Sequence, residues 1–211
     1  MSPRPPSLDA RRQPTQQRGR ETVDRLLDAT AALLEEAGFE ALTTNKIAAR
    51  AEVNVASLYK YFPNKYALIR ALAERNMERQ RELIALALEK AGEGDWKKVT
   101  DLALDGFLEH LVNEPGYAAV GEAIRVSPAL QELETAGFPA MIEMLEETIR
   151  ERCLPKARRR VPWVARVVVS TADAVLMAAR LEEPPERKKM VDELKRMLVA
   201  YLLPIFDEEA P

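Results

Sequence analysis

Few residues in this chain could do chemistry on their own. There is one histidine, His110, and one cysteine, Cys153, among 211 residues. That pair cannot supply the three or four imidazole and thiolate ligands of a usual zinc site, and a lone thiol excludes an internal disulfide. No glycine-rich phosphate loop, G-x-S-x-G elbow, HExxH or CxxC occurs. Paired acids such as Glu146-Glu147 and Glu182-Glu183 read as solvated faces, so a helical enzyme fits poorly; no catalytic residue, metal or cofactor is expected. The one stretch where reactive types gather is 42–65, LTTNKIAARAEVNVASLYKYFPNK. It brings together, among others, hydroxyls (Thr44, Ser57), amides (Asn45, Asn54), the tyrosines Tyr59 and Tyr61 and the lysines Lys60 and Lys65. These groups suit phosphate oxygens and base edges, not bond-breaking.

Two short helices must position them. Thr44 is a candidate N-cap for a helix over 45–51, with Ile47, Ala48 and Ala51 as a small apolar face. Glu52-Val53 makes the turn, and Asn54 caps a second helix over 55–62 with Leu58 and Phe62 inward. Pro63 stops it, and Asn64 caps the next helix. Two short helices about a tight turn are the unit that lays its second helix in a DNA major groove. Val55, Ala56 and Ser57 are small enough for close approach to base edges, while Tyr59, Lys60, Tyr61 and Lys65 reach phosphates. The plain alternative is a helical hairpin that binds protein and no DNA.

The rest of the chain is all-α by periodicity. Val23, Leu26, Leu27, Thr30, Leu33 and Leu34 mark a first helix over 15–37, capped by Thr15 and closed at Gly38. Further helices are expected over 65–91, 95–112, 116–126, 127–153 with a break at Gly137-Phe138-Pro139, 161–181 and 186–206, about nine in total. Hydrophobic content of 47% and charged content of 31% suit a soluble protein with a sizeable core. No run approaches the roughly 18 apolar residues of a membrane span, so no membrane partner and a cytoplasmic location are expected. Net charge is −3, yet residues 1–20 carry Arg4, Arg11, Arg12, Arg18 and Arg20 against Asp9. Residues 1–17 read as a disordered basic arm, either merely solvated or adding phosphate contacts.

Residues 18–75 closely resemble the N-terminal domain of TetR-family transcriptional regulators. The resemblance rests on Gly38-Phe39, Thr43-Thr44, Ile47-Ala48, Ala51-x-Val53 and Leu58-Tyr59-x-Tyr61-Phe62-x-x-Lys65. It implies a helix-turn-helix domain over 18–64 and a helical effector-binding and dimerisation domain over 65–211. It also implies DNA contacts from Thr44, Asn45, Asn54, Val55, Ala56, Ser57, Tyr59, Lys60, Tyr61 and Lys65. The family usually has glycine where this chain has Glu52, a departure that puts strain and a negative charge in the turn.

The expected partners are a pseudo-palindromic double-stranded operator, a second copy of the chain and a small-molecule effector. The last two helices, about 161–181 and 186–206, are apolar enough to pair two copies. The resemblance implies an effector pocket, for which Trp96, Phe107, His110, Tyr117, Met141, Met144, Trp163 and Met177 are the candidate lining for an apolar or aromatic ligand. The function implied is a repressor, with ligand binding tilting the helix from residue 65 and changing the spacing of two recognition helices.

Overall fold

A computed structural model describes residues 6–11, 16–92 and 94–207, without the side chains of 132–138. The described chain is helical throughout: α1 (Gln17–Ala41), α2 (Thr44–Arg50), α3 (Val55–Tyr61), α4 (Lys65–Ala91), α5 (Trp96–Asn113), α6 (Tyr117–Val126), α7 (Gln131–Arg152), α8 (Val161–Ala179) and α9 (Pro184–Phe206). The chain divides into two compact units, one of Met1–Glu78 with Glu114–Gly137 and one of Arg79–Asn113 with Phe138–Pro211.

In the first unit, α1, α2, α3, the start of α4 and α6 enclose Leu26, Leu34, Leu42, Ile47, Leu58, Phe62, Leu68 and Leu72, all essentially without solvent contact. Full burial of one such side chain contributes about 1.5–3 kcal/mol. Gly38 breaks α1 at φ 73°, ψ 176°, a conformation essentially restricted to glycine. The expected Thr15 cap lies outside the described residues; α1 is preceded by Gln16, whose side chain makes no cap. Gly116, at φ 72°, opens α6 and donates its N–H to Glu35 of α1 at 3.0 Å. The approach there is tight: a Cβ on Gly116 would lie 2.5 Å from the Ala31 carbonyl oxygen.

The N-terminal segment departs from expectation. Arg4 and Arg12 of the proposed arm lie outside the described residues, but residues 6–11 are laid against the first unit, with Leu8 only 6% exposed. Leu8 is the one large apolar side chain of this segment, and its burial draws the segment onto the core.

In the second unit, α8 and α9 bury Val161, Val164, Ala165, Val168 and Leu176 with Val191, Leu194, Leu198 and Leu202. Trp96 at the start of α5 stacks on Phe206 at the end of α9, ring centroids 5.0 Å apart. Lys195 of α9 lies 2.7 Å from both Asp101 and Asp105 of α5. Burial alone would lower its pKa, but the hydrogen bonds to those carboxylates outweigh that and raise it above the ordinary lysine value.

Three sequence expectations need correcting here. α7 runs unbroken through 137–139, because Pro139 is exposed and the helix loses only one N–H there. α9 begins at Pro184, since proline is well suited to the first helical turn. α8, with mean hydropathy 1.5, does reach the length and composition of a membrane span. Its inner face nonetheless packs on α9, and its outer face carries the charged residues Arg166 and Asp173.

Candidate nucleic-acid interface

α2 and α3 owe their ends to side-chain caps. The α2 cap is Thr43, not Thr44: its hydroxyl accepts from the Lys46 N–H at 3.2 Å. Asn54 caps α3 as expected, accepting from the Ala56 N–H at 2.8 Å, and Asn64 accepts from the Ala67 N–H at 2.9 Å to start α4. Thr44, relieved of capping, pairs its hydroxyl with that of Tyr59 at 2.9 Å, tying the outward faces of the two helices.

The turn carries the one positive φ among the described non-glycine residues, Glu52 at 53°. Holding an L-residue there costs roughly 1 kcal/mol. The turn closes on itself through the Val53 N–H to the Ala48 carbonyl, 2.9 Å, and the Glu52 N–H to the Ala49 carbonyl, 3.1 Å. Arg25 of α1 also holds it from outside. Its Nε donates to the Ala51 carbonyl at 3.0 Å and its Nη2 to the Ala51 and Glu52 carbonyls, the latter at 2.8 Å. No sequence signal marked Arg25, because its partners are backbone atoms 26 and 27 residues away.

The expected contact residues fall into three groups. Asn45, Asn54, Ala56, Tyr59 and Lys60 are exposed, with Thr44, Val55 and Ser57 half-buried beside them. Tyr61 is the exception: expected to face outward, it is 8% exposed and belongs to the core with Leu58. The two lie three positions apart, so they share the inner face of a helix that ends before Phe62. Lys65 is half-buried and already engaged, its Nζ 3.0 Å from the Phe39 carbonyl and 4.0 Å above the Phe39 ring. Lys46 and Arg50 were not singled out in the sequence, yet both are exposed on α2; Arg50 is paired with Glu36 at 2.7 Å. Two exposed helices, small side chains at the start of α3 and flanking cations form a surface that can present donors to phosphates while admitting base edges.

The candidate effector residues divide between the units. Tyr117 is half-buried on α6 in the first. In the second, Phe107, His110, Met141, Met144 and Met177 are half-buried, and Trp96 is occupied by Phe206. Trp163 does not join them. It is 70% exposed, because α8 turns Val161, Val164, Ala165 and Val168 inward and leaves position 163 on the far side.

Comparison with known proteins agrees with this geometry. Residues 26–72 match the family described as bacterial regulatory proteins, tetR family, and residues 95–202 match the tetracyclin repressor-like C-terminal domain. A TetR-family transcriptional regulator from Streptomyces coelicolor is similar over 88% of this chain and 99% of its own, at 32% identity and TM-score 0.64. The triclosan complex of SmeT has TM-score 0.68 at 22% identity, over 90% of this chain and 94% of its own, a likeness of fold. The transcriptional repressor KstR of Mycolicibacterium smegmatis is 43% identical over 60 residues, 28% of this chain and 29% of KstR. The match thus spans less than a third of that curated relative's length.

Proposed function

Because the chain belongs to the TetR family and is a DNA-binding transcriptional regulator, we propose that it acts as a homodimeric repressor released from a pseudo-palindromic operator by a small apolar or aromatic effector. The observation that carries the DNA side is the exposed α2–α3 face, with Asn45, Ala56, Tyr59 and Lys60 free of the core. Thr44, Asn54, Val55 and Ser57 complete the contact set. Lys65 reaches phosphate with the donors left after Phe39, and Tyr61 acts by packing.

The dimer reading rests on α8. Its outer side carries Trp163, Val167, Ser170, Ala174 and Ala178, spaced three or four apart, and all are exposed. A stripe of that kind suits an isologous pairing with a second copy, and Met197 of α9, 46% exposed, extends it. Trp163 therefore belongs to this interface and not to the effector pocket. For the effector, Phe107, His110, Met141, Met144 and Met177 of the second unit are the remaining candidate lining, with Trp96 as a flanking residue; Tyr117, in the first unit, is left out of this set. The functional division follows: residues 18–64 read DNA, and 65–211 bind effector and partner. α4 starts at Lys65, directly after the DNA-reading part, and is the element through which an effector would shift the populations of DNA-fitting and non-fitting dimers.

The test is selection of bound duplexes from a random library, with light scattering alongside. Enrichment of an inverted repeat with half-sites about 34 Å apart, a dimer, and its conversion to monomer by Trp163→Glu with Val167→Glu support the reading. A monomeric wild-type chain, or no retained duplex, sinks it. Release of the selected duplex by apolar aromatic compounds, with triclosan as a first probe, tests the effector arm.

A further inference from the structure

We propose that residues 6–11 form a strap that holds the C-terminal end of the recognition helix, making Arg11 and Leu8 positioning residues for DNA reading. The last carbonyls of any α-helix lack intrahelical partners, and here the sequence deepens that deficit. The Tyr59 carbonyl would ordinarily accept from the N–H four residues on, but that residue is Pro63, which has none. Arg11 supplies the replacement: its guanidinium Nη1 donates to the Tyr59 carbonyl at 3.2 Å. Its backbone N–H donates to the Tyr61 carbonyl at 2.7 Å. A cation at a helix C-terminus is also favoured by the helix dipole.

The rest of the segment fixes Arg11 in place. Leu8 is buried in the same core as Leu58, Tyr61 and Phe62. The Asn64 side chain donates to the Ser7 carbonyl at 2.9 Å while its oxygen caps α4. Asp9 adds an ion pair to Arg70 at 3.0 Å. Anchors on both sides of the α3–α4 corner converge on the helix whose face carries Ala56, Tyr59 and Lys60. The strap therefore sets how firmly that helix is held when it meets a groove.

The proposal rests on α3 being the recognition helix, but one of its two tests needs no DNA. In the full-length protein, Arg11→Ala is expected to speed hydrogen exchange at the amides of Tyr59–Phe62 and leave α9 unchanged; Leu8→Ser should do the same more strongly. Unchanged exchange in Arg11→Ala, an exposed site whose loss should spare the fold, overturns the strap whatever the DNA result. The second test is anisotropy with the duplex that the wild-type chain selects. Loss of a helix-end contact should weaken binding by about three- to tenfold, with the salt slope preserved. A loss accompanied by a slope lower by about 1 would mean that Arg11 touches phosphate directly, and that outcome rejects the positioning role.

Discussion

Arg25 of α1 is where the stability of the turn and the strain within it can be measured against each other. Arg25→Met keeps the aliphatic stem and removes every donor to the Ala51 and Glu52 carbonyls. A hydrogen bond from a charged donor contributes about 1.5–3 kcal/mol where water is excluded. Arg25 is largely exposed, so solvent screening and replacement by water reduce the expected cost to about 1–2 kcal/mol for the whole clamp. For a chain of this length that is a fall in Tm of roughly 2–4 °C per kcal/mol. The more discriminating experiment is a double-mutant cycle with Glu52→Gly. Glycine at φ 53° removes the left-handed penalty of roughly 1 kcal/mol, partly offset by the greater entropy of the unfolded chain. If the clamp exists to hold a strained turn, Arg25→Met should cost less in the Glu52→Gly background, with a coupling of about 0.5–1 kcal/mol. Urea melts followed by circular dichroism measure all four corners. Additive effects, or an Arg25→Met protein as stable as wild type, would refute the clamp.

Other outcomes follow from features already described. Gly116→Ala should destabilise the protein by about 1–3 kcal/mol, since the new methyl meets the Ala31 backbone at a positive φ; a thermal melt within a degree or so of wild type would remove that constraint. Lys195 has a raised pKa, so its contribution is fully present below the ordinary lysine value of 10.5 and is lost as pH rises through the higher folded value. Stability should therefore decline above about pH 10.5, and urea melts of Lys195→Met should lack that alkaline component. Lys60→Ala should weaken binding to selected and scrambled duplexes alike and lower the salt slope by about 1, whereas enlarging Ala56 should change the selected sequence.

What could be read from the sequence was whatever lies within a few residues of its cause. α4 came out with both ends right, because Asn64 is a cap and Gly92 turns at φ 79°. The start of α3 was legible for the same reason. Thr43 and Thr44 compete as neighbours for one capping role, and only the Lys46 N–H distinguishes them. Tyr61 was misplaced because two turns define a phase poorly; Leu58 and Phe62 are buried as expected, but Tyr61 joins them in the core. Trp163 failed for a related reason. It shares its side of α8 with Arg166, Ser170 and Asp173, but these polar residues are thinly spread in a helix that is otherwise apolar around most of its circumference. The role of Arg25, and that of Arg11 at the end of α3, were invisible, because both bind backbone carbonyls far along the chain.

Pro63 leaves α3 only 7 residues long, Val55–Tyr61. At 1.5 Å per residue that is about 10 Å of helix, facing about three base pairs at 3.4 Å each. Two copies, as proposed above, would discriminate about six, and a six-base word recurs by chance about once in 4,000 positions. Against roughly a million competing sites, some 250 accidental matches would remain. A regulator with so short a reading element must draw the rest of its addressing information from flanking sequence and duplex shape. Its regulon should therefore depend on context around the half-sites as strongly as on the half-sites themselves.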